Sequence, residues 1–317
     1  MKAFAFVFPG QGSQSVGMLD AWGDHPAVRA TLQEASDALG EDIGRLIHEG
    51  PKEALALTTN TQPVMLVAGV AAWRVWKAEG GPDPIAVAGH SLGEYTALVA
   101  AGALTLAQAA PLVRFRAQAM QQAVPVGAGA MAAILGLEAE AVRAGCAEAQ
   151  AQFAPGSGEV VEAVNFNDPV QTVIAGSKAA VDKACELLKA RGAKRALPLP
   201  VSAPFHSSLM QPAAEALRQR LATVPLQAPT IPVVNNIDVA VQSDPQRIRD
   251  ALVRQAAGPV RWVEVVQALR ARGAQAIIEC GPGKVLLGLT RRIDPQVAAA
   301  ALFDPASLGE VKTLLAA

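Results

Sequence analysis

The sequence predicts an α/β protein built on a mostly parallel sheet, with a smaller unit of different rhythm inserted near its middle. Three observations lead there. Short apolar runs at 3–8 and 85–88 read as buried strands. Helical periodicity follows each of them, and strands alternating with helices favour a parallel sheet covered on both faces. Between about 129 and 199 the order changes to strand, helix, strand, strand, helix, strand.

In chain order, 3–8 is a buried strand running into the loop Pro9-Gly-Gln-Gly-Ser-Gln14. A glycine-rich loop just past a strand end is where such sheets carry their chemistry. Helices are predicted at about 27–39 and 61–79, a strand at 85–88 and a helix from about Glu94. Another helix spans about 107–123. The changed stretch reads as strands at 130–137, 160–165, 170–175 and 193–199, with helices at 138–152 and 178–191. That order, βαββαβ, is the ferredoxin-like arrangement of two split βαβ units. The expected division is therefore 1–127 with 200–317 as the large domain and 128–199 as an inserted subdomain. Strands at 231–234 and 276–279 resume the alternation.

Composition narrows the function classes. The 317 residues are 51% hydrophobic and 17% charged, which fits a folded globule rather than a disordered chain. A net charge of -1 gives no reason to expect nucleic-acid binding. Cys146, Cys185 and Cys280 lie far apart, with no metal spacing and no disulfide framework, as expected in a reducing cytoplasm. The apolar run at 3–8 is too short for a signal segment, and no uninterrupted apolar stretch suits a membrane span.

The chemistry concentrates at Gly89-His-Ser-Leu-Gly93, a G-x-S-x-G pattern between a predicted strand and a predicted helix. That setting defines a nucleophile elbow, with Ser91 in a tight turn and glycines where side chains would clash. A serine hydroxyl needs a neighbouring base. Of the four histidines, His25 and His48 read as solvated or capping residues, and His90 as packing for the elbow. His206, following a predicted strand and opening a helix, is left as the candidate base. No acid adjoins it in sequence; Asp168, Asp238 or a backbone carbonyl could each hold the imidazole.

On the 107–123 helix, Arg116 falls on the apolar stripe of Leu112, Val113, Met120 and Ala123. A core-facing arginine needs an anion or several acceptors. An internal salt bridge would satisfy it, and so would a substrate carboxylate gripped by both arms of the fork.

Taken together, Phe8-Pro-Gly-Gln-Gly-Ser-Gln14, Gly89-His-Ser-Leu-Gly-Glu-Tyr95, Arg116 before Met120-Gln121, and Ala203-Pro-Phe-His-Ser207 resemble the malonyl-CoA:acyl carrier protein transacylase family across essentially the whole chain. The resemblance implies an α/β-hydrolase-like large domain with a ferredoxin-like insert. It implies Ser91 as the acylated nucleophile, His206 as general base and Arg116 as partner of the malonyl carboxylate. The N–H groups of Gln11 and Leu92 would form the oxyanion hole, and the main-chain carbonyl of Gln255 would orient the histidine. Relatives often read Gln-Leu-Tyr-Asn-Pro where this chain has Gln255-Ala-Ala-Gly-Pro259. Phe205 resembles malonyl-preferring members and should crowd an α-methyl group.

The implied substrates are malonyl-CoA, a coenzyme A thioester, and acyl carrier protein, with no cofactor and no metal. Lys189, Arg191, Lys194 and Arg195 would make a basic edge for the acidic carrier, or simply a solvated helix end. A cytoplasmic monomer without nucleic-acid or membrane partners is expected. Two other readings share the elbow: a serine thioesterase or esterase, and a non-catalytic carrier-docking module.

Overall fold

Strand β1 (Phe4–Phe8) is buried along its whole length, and its alternating side chains serve two different cores. Phe4, Phe6 and Phe8 point to one face of the sheet, Ala5 and Val7 to the other. A strand covered on both sides has no solvent face to mark with polar residues, hence its continuous apolar sequence. In this computed structural model, residues 1–201 and 203–317 are described.

After β1 come α1 (Pro26–Leu39), α2 (Ile43–Glu49), α3 (Lys52–Ala56) and α4 (Thr58–Ala78), then β2 (Ala86–Gly89), α5 (Gly93–Ala100) and α6 (Leu106–Gln122). The middle stretch holds β3 (Gly129–Leu135), α7 (Ala139–Gln150), β4 (Val161–Asp168), β5 (Gln171–Ser177), α8 (Lys178–Ala190) and β6 (Arg195–Pro198). The rest is α9 (Gln211–Ala222), β7 (Val233–Val234), α10 (Pro245–Ala256), α11 (Trp262–Ala271), β8 (Ala276–Cys280), α12 (Val285–Ile293), β9 (Ala298–Leu302) and α13 (Pro305–Ala316).

Among the described residues the strands form two sheets. The larger runs β7-β2-β1-β8-β9 with every pair parallel. Order reverses direction at β1, so a crevice opens beyond the carboxyl ends of β1 and β2, where this sheet type binds its ligands. Helix α4 closes one face: Trp73 and Trp76 meet Phe6 edge-on, with ring centroids 5.8 and 5.4 Å apart.

The smaller sheet, β4-β5-β3-β6, is antiparallel throughout. That order is what two interleaved βαβ units produce. Helices α7 and α8 cover one face through Val142, Cys146, Val181 and Leu188. The opposite face packs Met131, Ala133 and Val173 against Met120 of α6 and Phe205. The two sheets are also stitched along β4. Phe166 N–H donates to Val260 O and Val260 N–H to Val164 O, at 3.0 and 2.8 Å. Arg292 on α12 donates to Asp168 at 2.6 Å.

The structure departs from the sequence reading at three places. Residues 298–302, to which the sequence reading assigned no element, form β9; pairing with β8 across five registered positions overrides the low strand propensity of four alanines. The short helix α3 was not anticipated, whereas α2 ends beside His48, where the sequence places a helix end. His206 stands just before a helical segment and not in it: it sits in a turn at φ 67°, a 3-10 turn follows at Ser208–Met210, and α9 runs on from Gln211. A left-handed residue cannot belong to a right-handed helix.

Candidate active site

The elbow is built by close backbone approach. A Cβ on Gly89 would stand 1.9 Å from the Gly93 carbonyl carbon, and one on Gly93 would stand 2.0 Å from Phe8 O. Only glycine lets β2, the turn and α5 pass this near to β1. Ser91 takes φ 51°, a conformation that side chains disfavour, so the surroundings must hold it. Asn236 does so. Its Oδ1 accepts from Ser91 N–H at 2.7 Å, and its Nδ2 donates to Gly89 O at 2.7 Å.

His206 Nε2 lies 2.7 Å from Ser91 Oγ, across 115 positions of sequence. Its Nδ1 lies 2.8 Å from the main-chain oxygen of Gln255. A carbonyl oxygen only accepts, so Nδ1 carries the proton and Nε2 is left free to accept from the serine hydroxyl. Burial, helped by the charge of Arg116, pushes the imidazole pKa down to about 3. The ring is therefore neutral at pH 7, in the form that can take a proton. The acids left open by the sequence are engaged elsewhere: Asp168 with Arg292, and Asp238 with Arg254 at 2.7 and 2.8 Å.

Arg116 is 2% exposed. Its Nη1 donates to Gln62 Oε1 at 2.7 Å; its Nη2 donates to Gln255 Oε1 at 3.0 Å and to Ser91 Oγ at 3.2 Å. The guanidinium carbon stands 5.4 Å from the centre of the Tyr95 ring. Among the described residues no carboxylate pairs with it directly, so amide oxygens and a hydroxyl stand where an anion could. Burial lowers its pKa.

Gln62, Ser91, Arg116 and His206 line a cavity of about 120 Å³ with Gln11, Leu92, Met120, Met131, Asn165 and Phe205. Ligand pockets usually exceed about 300 Å³, so this one suits a short acyl group. Among the described residues, neither the Gln11 nor the Leu92 backbone N–H donates to a protein acceptor. A groove of about 830 Å³ opens on the other side of His206, along α7 and the 257–259 segment. His90 donates from Nε2 to Asn167 Oδ1 at 2.8 Å and lies against Trp262 with centroids 5.3 Å apart, a packing place as expected. His25 caps α1, and His48 pairs with Asp20.

Sequence reasoning missed Gln62, Glu94 and Asn236. Glu94 carried a signal: it is the one charged residue in the run Gly93–Ala100, where burial demands partners. Burial raises its pKa to about 7. Gln62 and Asn236 carried none, since a lone amide in a helix or after a strand is usually a surface residue. The basic candidates lie apart from this cavity. Lys189 is in the last turn of α8, Arg191 pairs with Glu148, and Arg195 is on the edge strand β6.

A family model described as "Acyl transferase domain" matches residues 5–301. A protein of Salmonella typhimurium named malonyl CoA-acyl carrier protein transacylase is 52% identical over 314 residues, covering 99% of this chain and 100% of the relative. The crystal structure of an acyl-carrier-protein S-malonyltransferase from Burkholderia pseudomallei superposes with a TM-score of 0.95 at 67% identity, covering 99% of this chain and 100% of that one. A malonyl-transacylase solved in complex with a type II polyketide acyl-carrier protein superposes at 0.93 with 49% identity, covering 99% of each chain.

Proposed function

Because the chain belongs to the acyl transferase domain family, and within it to the malonyl CoA-acyl carrier protein transacylases, we propose that it moves a malonyl group from coenzyme A to acyl carrier protein through an ester on Ser91. His206 Nε2 takes the proton of Ser91 Oγ as the oxygen attacks the thioester carbonyl. The oxyanion is held by the N–H groups of Gln11 and Leu92. When the tetrahedral intermediate collapses, the C–S bond breaks and His206 returns the proton to the departing thiolate. The phosphopantetheine thiol of the carrier then gives its proton to His206 and attacks the ester, and Ser91 leaves with that proton. The cycle draws on the chain's own groups, one thioester and one thiol.

One observation carries the malonyl reading: a buried guanidinium, without a carboxylate partner among the described residues, shares a small cavity with Ser91 and His206. A thioesterase or esterase would have no use for it and would normally hold its histidine with a carboxylate. The groove beside His206 offers room for the long arm of either thioester. Phe205 narrows the cavity against an α-methyl group. Residues 128–199 act as an inserted subdomain whose basic edge (Lys189, Arg191, Lys194, Arg195) steers the acidic carrier. No described helix is long and apolar enough to cross a membrane; we take the working form as a cytoplasmic monomer serving fatty-acid synthesis. Intact-mass analysis after mixing with malonyl-CoA tests the reading. A malonyl adduct on the wild type that is absent from Ser91→Ala supports it; no adduct, or one that survives the substitution, overturns it.

A further inference from the structure

Glu94 is a buried carboxylate that the acyl-transfer cycle leaves without a task. It is 2% exposed, three residues past Ser91 on an apolar helix. Its Oε2 accepts from Asn236 N–H at 2.9 Å and from Gln255 Nε2 at 3.0 Å. It feels the charge of Arg116 but reaches it only through the Gln255 amide.

A side-chain amide has donors on one end and an acceptor on the other, and by shape alone either end could face either neighbour. Here the neighbours decide. A carboxylate only accepts and a guanidinium only donates. Gln255 is thus held one way round, with Nε2 on Glu94 and on Ser91 O (2.9 Å), and Oε1 on Arg116 Nη2 (3.0 Å). The main-chain oxygen of the same residue holds His206. One glutamine therefore touches the nucleophile's backbone, the base and the guanidinium.

We propose that Glu94 is a positioning residue for malonyl selectivity: by locking the Gln255 amide it keeps the Arg116 fork beside Ser91, one amide short of an ion pair. The separation matters. A carboxylate directly on Arg116 would occupy the fork that the malonyl carboxylate needs. With no acceptor at 94, only Ser91 O and, at 3.5 Å, Asn236 Oδ1 hold the NH2 end of Gln255, so the amide loosens and the Arg116 Nη2 that rests on its Oε1 loses its fixed place beside Ser91. In its ionised form Glu94, acting through Gln255, balances the buried cation while taking a single Nη2 N–H.

This inference rests on the malonyl-transfer reading of the same cavity. Glu94→Met tests it, because methionine keeps the length and most of the volume and removes the oxygen that accepts from Gln255 Nε2. Ser91 acylation rates from malonyl-CoA and acetyl-CoA are measured separately by quenched intact mass, alongside melting temperature. The malonyl-over-acetyl ratio should fall by about tenfold, the scale of one oriented hydrogen bond to a charged group. If Glu94→Met does not fold, Gln255→Met carries the same expectation, since it removes the amide and keeps the main-chain oxygen on His206. An unchanged ratio overturns the proposal, whether both rates hold or both fall together. A wild type that forms no malonyl adduct would instead overturn the transferase reading itself.

Discussion

Replacing Arg116 with alanine separates substrate recognition from the acylation chemistry. The guanidinium is 2% exposed and makes hydrogen bonds of 2.7, 3.0 and 3.2 Å, none of them to a carboxylate. Removing one partner of a buried charge pair costs about 3–5 kcal/mol, because the other charge is left uncompensated. At about 1.4 kcal/mol per decade, that is a loss of roughly two to three and a half orders of magnitude in kcat/KM for malonyl-CoA. Acetyl-CoA brings no carboxylate, and Ser91 Oγ would lose only a 3.2 Å donor that competes for its lone pairs. The acetyl rate should therefore fall far less, and the ratio of the two substrates should invert relative to wild type. Single-turnover acylation of Ser91, read by intact mass at several concentrations of each thioester, measures both. Equal losses with the two substrates would mean that Arg116 supports the elbow and does not grip the acyl carboxylate.

Three further outcomes follow from the same coordinates. The acid limb of Ser91 acylation should lie well below the ordinary histidine value of 6.5, since burial and the Arg116 charge depress His206 to about 3; a limb at 6.5 in kcat/KM would contradict a buried neutral base. The sign for stability is the same: the unfolded state binds that proton more readily, so acidification below 6.5 costs stability through His206. Gly93→Ala should destabilise by about 3 kcal/mol or more, because its Cβ would meet Phe8 O at 2.0 Å; an unshifted denaturation midpoint would show that the turn can relax. Phe205→Ser should raise methylmalonyl relative to malonyl acylation by opening the cavity it lines; an unchanged ratio would remove Phe205 from selectivity.

Much of the site was legible before any coordinates. Gly89-His-Ser-Leu-Gly93 announces its elbow because close backbone approach demands glycine, and that demand is written in the letters. Arg116 stands out because a cation on an apolar stripe is costly, so periodicity exposes it. Gln255 was reached through resemblance and the carbonyl's role, but nothing in Arg254-Gln-Ala-Ala-Gly-Pro259 hints that its side chain also joins Arg116, Ser91 and Glu94.

Local sequence by itself determined where the chain can turn, which strands are buried on both faces, and the residue types available for the chemistry. Those properties follow from sterics and water, which act over a few neighbouring residues. Tertiary structure alone decided which partner each polar group meets. His206 found Ser91 at 2.7 Å and a carbonyl at 2.8 Å, while Asp168 and Asp238 went to arginines. Hydrogen-bond partners are chosen over distances of about 3 Å between residues far apart in the chain, and only the packing of both sheets brings those atoms within reach.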